Sequence, residues 1–116
     1  MKIITKGTHV DITTSVEEYL YKKLSSIEKF LNDDTRVQVE LERTTHHHKS
    51  GDIYRVEVNI HFKGKLYRVE KISPDMYSSI DLVQDDLFNL LSTKKDKNMT
   101  LFRKGAQKIK NMFRRG

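Results

Sequence analysis

The chain has 116 residues, no cysteine and a formal net charge of +6 at pH 7. This length allows one domain built from a sheet and one or two helices, and the lack of cysteine excludes disulfides and thiolate catalysis. No segment approaches the ~20 apolar residues of a membrane span, and the N-terminus has no apolar run long enough for a signal peptide, so we expect a cytoplasmic protein.

The first predicted elements are a short strand and an amphipathic helix. Residues Lys2 to Lys6 have β character, and Gly7 closes the run. Thr13 and Thr14 are candidate N-caps, and Glu17 follows Thr14 at the spacing of a capping box. Apolar residues then recur at helical spacing and predict one helix of about four turns; they are Val16, Tyr19, Leu20, Leu24, Ile27, Phe30 and Leu31.

Three further strands are predicted from alternation. Apolar and polar residues alternate along 37–42 and again along 54–62, the period of a half-buried strand. Residues 44–52 are predicted to form the loop between them, and Lys63-Gly64 a tight hairpin turn before a last strand, Lys65 to Ile72. Because one face of each long strand is apolar and the other charged, we expect a sheet covered on one side only.

The second predicted helix follows Ser73-Pro74-Asp75, with Ser73 as N-cap and Pro74 at the first helical position. Its apolar stripe is Met76, Ile80, Val83, Leu87, Leu90 and Leu91. The resulting order, β-α-β-β-β-α, predicts an α+β fold in two layers, a four-stranded sheet with two helices on one face. The crossover through the first helix predicts that the first two strands are parallel.

Positive charge is concentrated at the C-terminus. Residues 1–97 contain 16 Lys/Arg and 16 Asp/Glu, whose charges cancel, whereas the charged residues among 98–116 are all cations. We therefore predict an α+β domain over 1–97 and a basic tail over 98–116, in which Phe102, Ala106, Ile109 and Phe113 have the spacing of a short amphipathic helix. Such a tail meets polyanions, either nucleic acid or an acidic membrane surface. The cluster Lys94-Lys95-Asp96-Lys97 either contacts phosphates or complements the dipole of the second helix.

No catalytic constellation is evident in the sequence. Neighbours in the run His46-His47-His48 point to opposite sides of an extended segment, which favours a solvated loop or an RNA-backbone contact over a metal site. Asp85 and Asp86 diverge by about 100° on a helix and do not form an acid–base pair. Lys23, at the edge of the first apolar stripe, either packs its stem against aromatic neighbours or lines a groove between the helices. We predict a protein that is not an enzyme and needs no cofactor or metal.

Four segments together resemble the pattern of a known family. Asp75-Met76-Tyr77-Ser78-Ser79-Ile80-Asp81 is similar to a D-M-Y-x-x-I-D signature, and Val10-Asp11-Ile12-Thr13 to V-E-I-T. Lys23 and Glu28 match a helix pattern that goes with them, and Lys95-Asp96-Lys97 a K-D-K ending. The chain thereby resembles the ribosome hibernation promoting factor family, also called ribosome-associated inhibitor or sigma-54 modulation proteins. The similarity covers the predicted domain, and the predicted order of elements is that family's fold, which contains the α-β-β-β-α order of double-stranded RNA-binding domains.

The resemblance implies a ribosome hibernation factor. Family members bind the small ribosomal subunit and its rRNA in the channel of tRNA and mRNA, compete with both, and inhibit translation during starvation or stationary phase. Long members pair ribosomes through a further C-terminal domain; this chain resembles a short form, expected to be a monomer off the ribosome. The cations expected to bind rRNA are Lys23, Lys29, Lys94, Lys95, Lys97, Arg103, Lys104, Lys108, Lys110, Arg114 and Arg115.

The chain departs from the family at Asp86 and Asn89, where the second helix commonly carries basic residues. One alternative function is an RNA-binding module for structured RNA outside the ribosome. Another is a regulatory protein whose basic amphipathic tail docks on a protein or membrane partner, although the leading interpretation involves no membrane.

Overall fold

The structure is a computed structural model that describes residues 1–46 and 51–103, with side chains for 1–45 and 51–92. The elements in chain order are strand β1 (Lys2–Thr8), helix α1 (Thr14–Leu24), a 3₁₀ segment (Ser25–Phe30), strands β2 (Arg36–His46), β3 (Gly51–Phe62) and β4 (Lys65–Ser73), and helix α2 (Met76–Arg103). This is the predicted α+β order.

The four strands form one mixed sheet in the order β1-β2-β3-β4. β1 pairs with β2 in parallel, as the crossover rule predicts, with Ile3 opposite Val37. The other two pairs are antiparallel. The predicted hairpin turn is also present: Lys63 and Gly64 both have positive φ, 51° and 77°, as a type I′ turn requires.

Two strands run further than the sequence predicts. β2 and β3 stay paired from Thr44–Ile53 to His46–Gly51, so most of the predicted loop 44–52 is strand; residues 47–50 lie outside the described residues. β1 continues through Gly7 to Thr8. A Cβ at Gly7 would lie 2.7 Å from the backbone oxygen of Val10, which explains a glycine at this crowded position.

The core lies between one face of the sheet and the helices. Its members come from the predicted apolar stripes and alternating runs: Leu20, Leu24, Ile27, Val37, Val39, Leu41, Val56, Val58, Ile60, Val69, Met76, Ile80, Val83, Leu87 and Leu91. The opposite face carries polar and charged side chains such as Glu40, Arg55 and Arg68 and has no layer of described residues over it. The sheet is therefore covered on one side, as predicted.

The first helix differs from the single four-turn helix predicted. Thr13 is the N-cap and its hydroxyl accepts the N–H of Val16 at 3.2 Å, so Thr14 is already helical and the predicted capping box does not form. The α-helix ends at Leu24 and tightens into the 3₁₀ segment. Ser25 and Ser26 donate their hydroxyls to carbonyls three residues earlier, at 2.7 and 2.9 Å, and such local bonds compete with α-helical bonding.

The second helix has a different cap and a different end from those predicted. Asp75 accepts the N–H of Ser78 at 2.9 Å and so serves as the cap, whereas Ser73 belongs to β4. The helix also passes through residues 94–97, where we expected its C-terminal end, and continues to Arg103. Residues 104–116 lie outside the described residues, and the boundary at residue 97 stays a prediction. Within the described part of the chain, no helix has both the length and the apolar character that a membrane crossing needs.

Candidate nucleic-acid interface

The two helices run parallel and meet along a regular seam. β1 and β4 have the same direction because β1 is parallel to β2 and two antiparallel pairs follow; each is followed by a helix that returns along the sheet. Four contacts between α1 or the 3₁₀ segment and α2 join residues 58 positions apart. They are Tyr19–Tyr77, Lys23–Asp81, Ser26–Gln84 and Phe30–Phe88. We call this set of residues the helix seam.

Lys23 is paired within the helix seam. Its Nζ lies 3.3 Å from Oδ1 of Asp81, and the hydroxyl of Tyr19 donates to the same oxygen at 2.6 Å. The Lys23 ammonium also lies 5.5 Å from the centre of the Tyr19 ring. The hydrogen bond to Asp81 raises the pKa of Lys23 and also that of Tyr19. Lys23 therefore contacts its aromatic neighbour, as one interpretation predicted. It also forms an ion pair with Asp81, which the sequence alone did not indicate.

Lys29 presents its charge at the end of the helix seam. Its Nζ lies 5.5 Å from the ring centre of Phe30 and 5.2 Å from that of Phe88, and the two rings meet edge to face at 5.5 Å. Lys29 is exposed and forms no ion pair with any residue whose side chain the structure describes. Aromatic faces attract a cation without neutralising it, so Lys29 keeps a charge that a phosphate can meet.

Of the other predicted cations, four lie in the C-terminal part of α2. The backbone positions of Lys94, Lys95, Lys97 and Arg103 belong to α2. Beyond Phe88, the last described seam residue, α2 continues for 15 residues, about 22 Å at 1.5 Å per residue. The remaining predicted cations lie outside the described residues; they are Lys104, Lys108, Lys110, Arg114 and Arg115.

Five residues of the signature motif at residues 75–81 have a clear structural role. Asp75 caps α2, Met76 is in the core, and Tyr77 and Asp81 belong to the helix seam. Ser79 is fully buried and its hydroxyl donates to a carbonyl of β3 at 2.7 Å. The motif therefore fixes α2 onto the sheet and onto α1.

Asp86, where this chain departs from the family's usual basic residue, has a partner on the sheet. Its Oδ2 lies 2.9 Å from Nζ of Lys71 in β4, on a different side of α2 from the Asp81 contact with α1. In the described part of the chain, no group of three or more His, Cys, Asp or Glu side chains is placed to hold a metal ion; the side chains of His46, His47 and His48 lie outside it.

The centre of the open sheet face is acidic. The guanidinium of Arg55 donates to four carboxylates at 2.6 to 3.0 Å, those of Glu40, Glu42, Glu57 and Glu70. Burial lowers the pKa of Arg55, but the hydrogen bonds to the carboxylates outweigh it and raise this pKa. Bonds from Thr8 and Arg55 lower the pKa of Glu40, and the bond from Arg55 lowers that of Glu57. The four carboxylates outnumber the guanidinium groups of Arg55 and of Arg68, which lies 2.6 Å from Glu57, so this area is negative and unsuited to RNA.

Comparison with known proteins identifies the family. Residues 3–99 match the family described as Sigma 54 modulation protein / S30EA ribosomal protein. The chain belongs to this family. A ribosome hibernation promotion factor of a Picosynechococcus species is 31% identical over 99 residues, which cover 84% of this chain and 51% of the relative. The factor of the same name from Lactococcus lactis is 31% identical over 87 residues, 75% of this chain and 45% of the relative. The chain spans about half the length of these curated relatives.

Solved structures support the same fold. The N-terminal domain of Thermus thermophilus Protein Y superposes with a TM-score of 0.67 at 26% identity, covering 81% of this chain and 99% of that domain. A ribosomal subunit interface protein from Coxiella burnetii gives a TM-score of 0.66 at 24% identity, covering 83% of this chain and 99% of the other. The α+β fold of this chain is therefore that of its family.

Proposed function

We propose that this protein is a ribosome hibernation factor that is not an enzyme. It binds the small ribosomal subunit and its rRNA in the channel of tRNA and mRNA, and it inhibits translation during starvation or stationary phase in the cytoplasm. Two of its curated relatives carry the name ribosome hibernation promotion factor, and the family match extends over residues 3–99.

The observation that carries the proposal is the continuation of α2 beyond the helix seam. The sequence places Lys94, Lys95, Lys97 and Arg103 on this part of the helix, and Lys29 stands unpaired by any described carboxylate where the seam ends. Cations on a helix that extends from the body meet phosphates without bringing the acidic centre of the open sheet face close to RNA. The cations of residues 104–116 extend this contact.

Lys23 has a smaller part in this proposal than Lys29. Its ammonium already has the Asp81 carboxylate 3.3 Å away, so a phosphate that approaches Lys23 also meets a negative charge. We therefore assign Lys23 chiefly to the order of the helix seam and Lys29, with the α2 cations, to the contact with rRNA.

Sedimentation with purified small ribosomal subunits tests the proposal. The variant Lys95→Ala/Lys97→Ala is expected to bind more weakly, with a salt dependence reduced by about 0.7–0.9 per lost phosphate contact in a log–log plot. The matched control is Lys6→Ala/Lys22→Ala, which removes the same charge from exposed positions away from the extension of α2. Equal weakening in both variants contradicts the assigned contact.

Competition locates the site on the subunit. Deacylated tRNA at high concentration is expected to displace the protein from small subunits, and simultaneous saturation by both contradicts binding in the tRNA channel. Fractionation of stationary-phase cells separates the alternatives: migration with free RNA favours an RNA-binding module outside the ribosome, and pelleting with membranes favours a docking tail.

A further inference from the structure

One end of the open sheet face, next to the turn between β3 and β4, is basic. Lys2 pairs with Arg36 across β1 and β2, and Arg36 comes opposite His61, one position beyond the pair Val37–Ile60. Because Val37 and Ile60 are fully buried and side chains alternate along a strand, Arg36 and His61 point to the open face. Three side chains that donate to anions therefore lie side by side on three adjacent strands.

A shallow, open cleft lies at this end. It has a volume of about 350 Å³, and its polar lining includes Asn32, Asp34, Arg36, Gln38, His61 and Lys63. Neither Arg36 nor Lys63 forms an ion pair with a described side chain, and both are exposed. Asp34 contributes the negative charge of this lining. The positive charges of Arg36, Lys63 and the nearby Lys2 outnumber it. The guanidinium of Arg36 and the side-chain amides of Asn32 and Gln38 can donate hydrogen bonds, which phosphate oxygens accept.

The acidic centre of the sheet restricts how a polyanion reaches this cleft. Glu40, Glu57 and Glu70 form one row across β2, β3 and β4. They lie two row spacings along the strands from Arg36 and His61, about 13 Å at 3.3 Å per residue. A phosphate chain that ran along the strands would meet these carboxylates, so it has to cross the end of the sheet, along the line from Lys2 to His61.

We propose that this cleft, which we call the hairpin-end cleft, binds the phosphodiester backbone of an RNA strand. It lies at the end of the sheet, where Arg36, Gln38 and His61 belong to the open face, whereas the helix seam lies in the helical layer, so the protein has RNA contacts at both places. The proposal deepens the function proposed above, and it rests on that function for the identity of the RNA as ribosomal or messenger. The binding of phosphate by Lys2, Arg36 and Lys63 is testable without ribosomes.

The test uses the full chain, a short fluorescent oligouridine RNA and a matched pair of variants. Lys2→Gln/Arg36→Gln removes two charges from the hairpin-end cleft and its margin. Lys6→Gln/Arg43→Gln removes the same two residue types from the same two strands, at exposed positions four and seven residues further along them. The dissociation constant of each is measured as a function of salt, and thermal unfolding verifies that both variants are folded.

The first variant is expected to lower the log–log salt slope by about 1.4, since each phosphate contact with a single strand contributes about 0.7. With this change in slope, lowering the salt from about 1 M to about 0.1 M strengthens binding about 25-fold less in the variant than in the wild-type protein. The control is expected to lose less than about a third of that. Equal losses in the two variants overturn the proposal, because the effect then follows net charge and not position.

The same variants separate this proposal from the ribosomal function. If the wild-type protein binds small subunits and the two variants bind oligouridine equally, the hairpin-end cleft is refuted and the ribosomal function stands. If the wild-type protein fails to bind small subunits but the oligouridine difference is found, the cleft stands as a phosphate site and the ribosomal function is refuted.

Discussion

Replacing Arg55 by Gln tests the network at the centre of the open sheet face. The guanidinium holds four carboxylates, Glu40, Glu42, Glu57 and Glu70, and its side chain is 20% exposed. Hydrogen bonds to charged groups contribute about 1.5–3 kcal/mol when buried, and exposed ion pairs about 0.2–1 kcal/mol. This half-buried network lies between these limits. At about 0.5–1 kcal/mol for each of four contacts, we expect Arg55→Gln to lower the free energy of unfolding by about 2–4 kcal/mol at neutral pH.

The cost of Arg55→Gln is expected to depend on pH. In the folded protein the pKa values of Glu40 and Glu57 lie below their ordinary value of 4.5. The stability from such groups is fully present above the unfolded pKa and is lost as the pH falls through the folded pKa. The difference between wild type and variant is therefore largest at neutral pH and shrinks below about pH 4. Urea unfolding at about pH 7 and at about pH 3 measures it.

The control for this prediction is Arg68→Gln. Arg68 is 58% exposed and, among the side chains that the structure describes, has one ion pair, with Glu57 at 2.6 Å, so its replacement is expected to cost less than about 1 kcal/mol. If Arg55→Gln costs no more than Arg68→Gln, or costs the same at both pH values, the network does not stabilise the sheet in the way described.

Two further substitutions test the attachment of the elements. Ser79→Ala removes a fully buried hydroxyl that donates to the carbonyl of Tyr54 at 2.7 Å, and it is expected to cost about 1–3 kcal/mol in urea unfolding. A loss within about 0.5 kcal/mol, the range of ordinary surface substitutions, would contradict this. Gly7→Ala brings a Cβ within 2.7 Å of the backbone oxygen of Val10 and is expected to lower the thermal midpoint by several degrees, about 4–8 °C per kcal/mol for a domain of this size. An unchanged midpoint would show that the connection after β1 shifts without cost.

The buried face of the sheet is predictable from the sequence because it depends on one strand at a time. Alternation along 37–42 and 54–62 is enough to assign Val37, Val39 and Val58 to the core, and all three are buried. The parallel pairing of β1 and β2 is predictable for a related reason, because a single crossover helix permits it. The family motif at residues 75–81 is local as well, and the family match confirms it.

The errors arise where one local signal competes with another. Ser73 has the residue type of an N-cap, but its hydroxyl lies 2.7 Å from that of Ser79 and its backbone pairs in β4, so Asp75 takes the cap. Ser25 and Ser26 sit in a helical apolar pattern, and their bonds to preceding carbonyls favour a 3₁₀ turn that hydrophobic spacing alone does not reveal. The cluster around Arg55 and the helix seam are not predictable in this way, because each joins residues whose neighbourhood exists only after the strands and helices are in register.

The end of α2 extends past the residues that hold this helix against the rest of the domain. The core still holds α2 at Leu91, and 12 residues of helix follow as far as Arg103, about 18 Å. A tilt of about 10° displaces the end of the helix by about 3 Å, the length of an ion-pair contact. The contacts between the two helices therefore set the position of the end of α2, and a substitution at Phe88 is expected to shift that end without removing any of its cations.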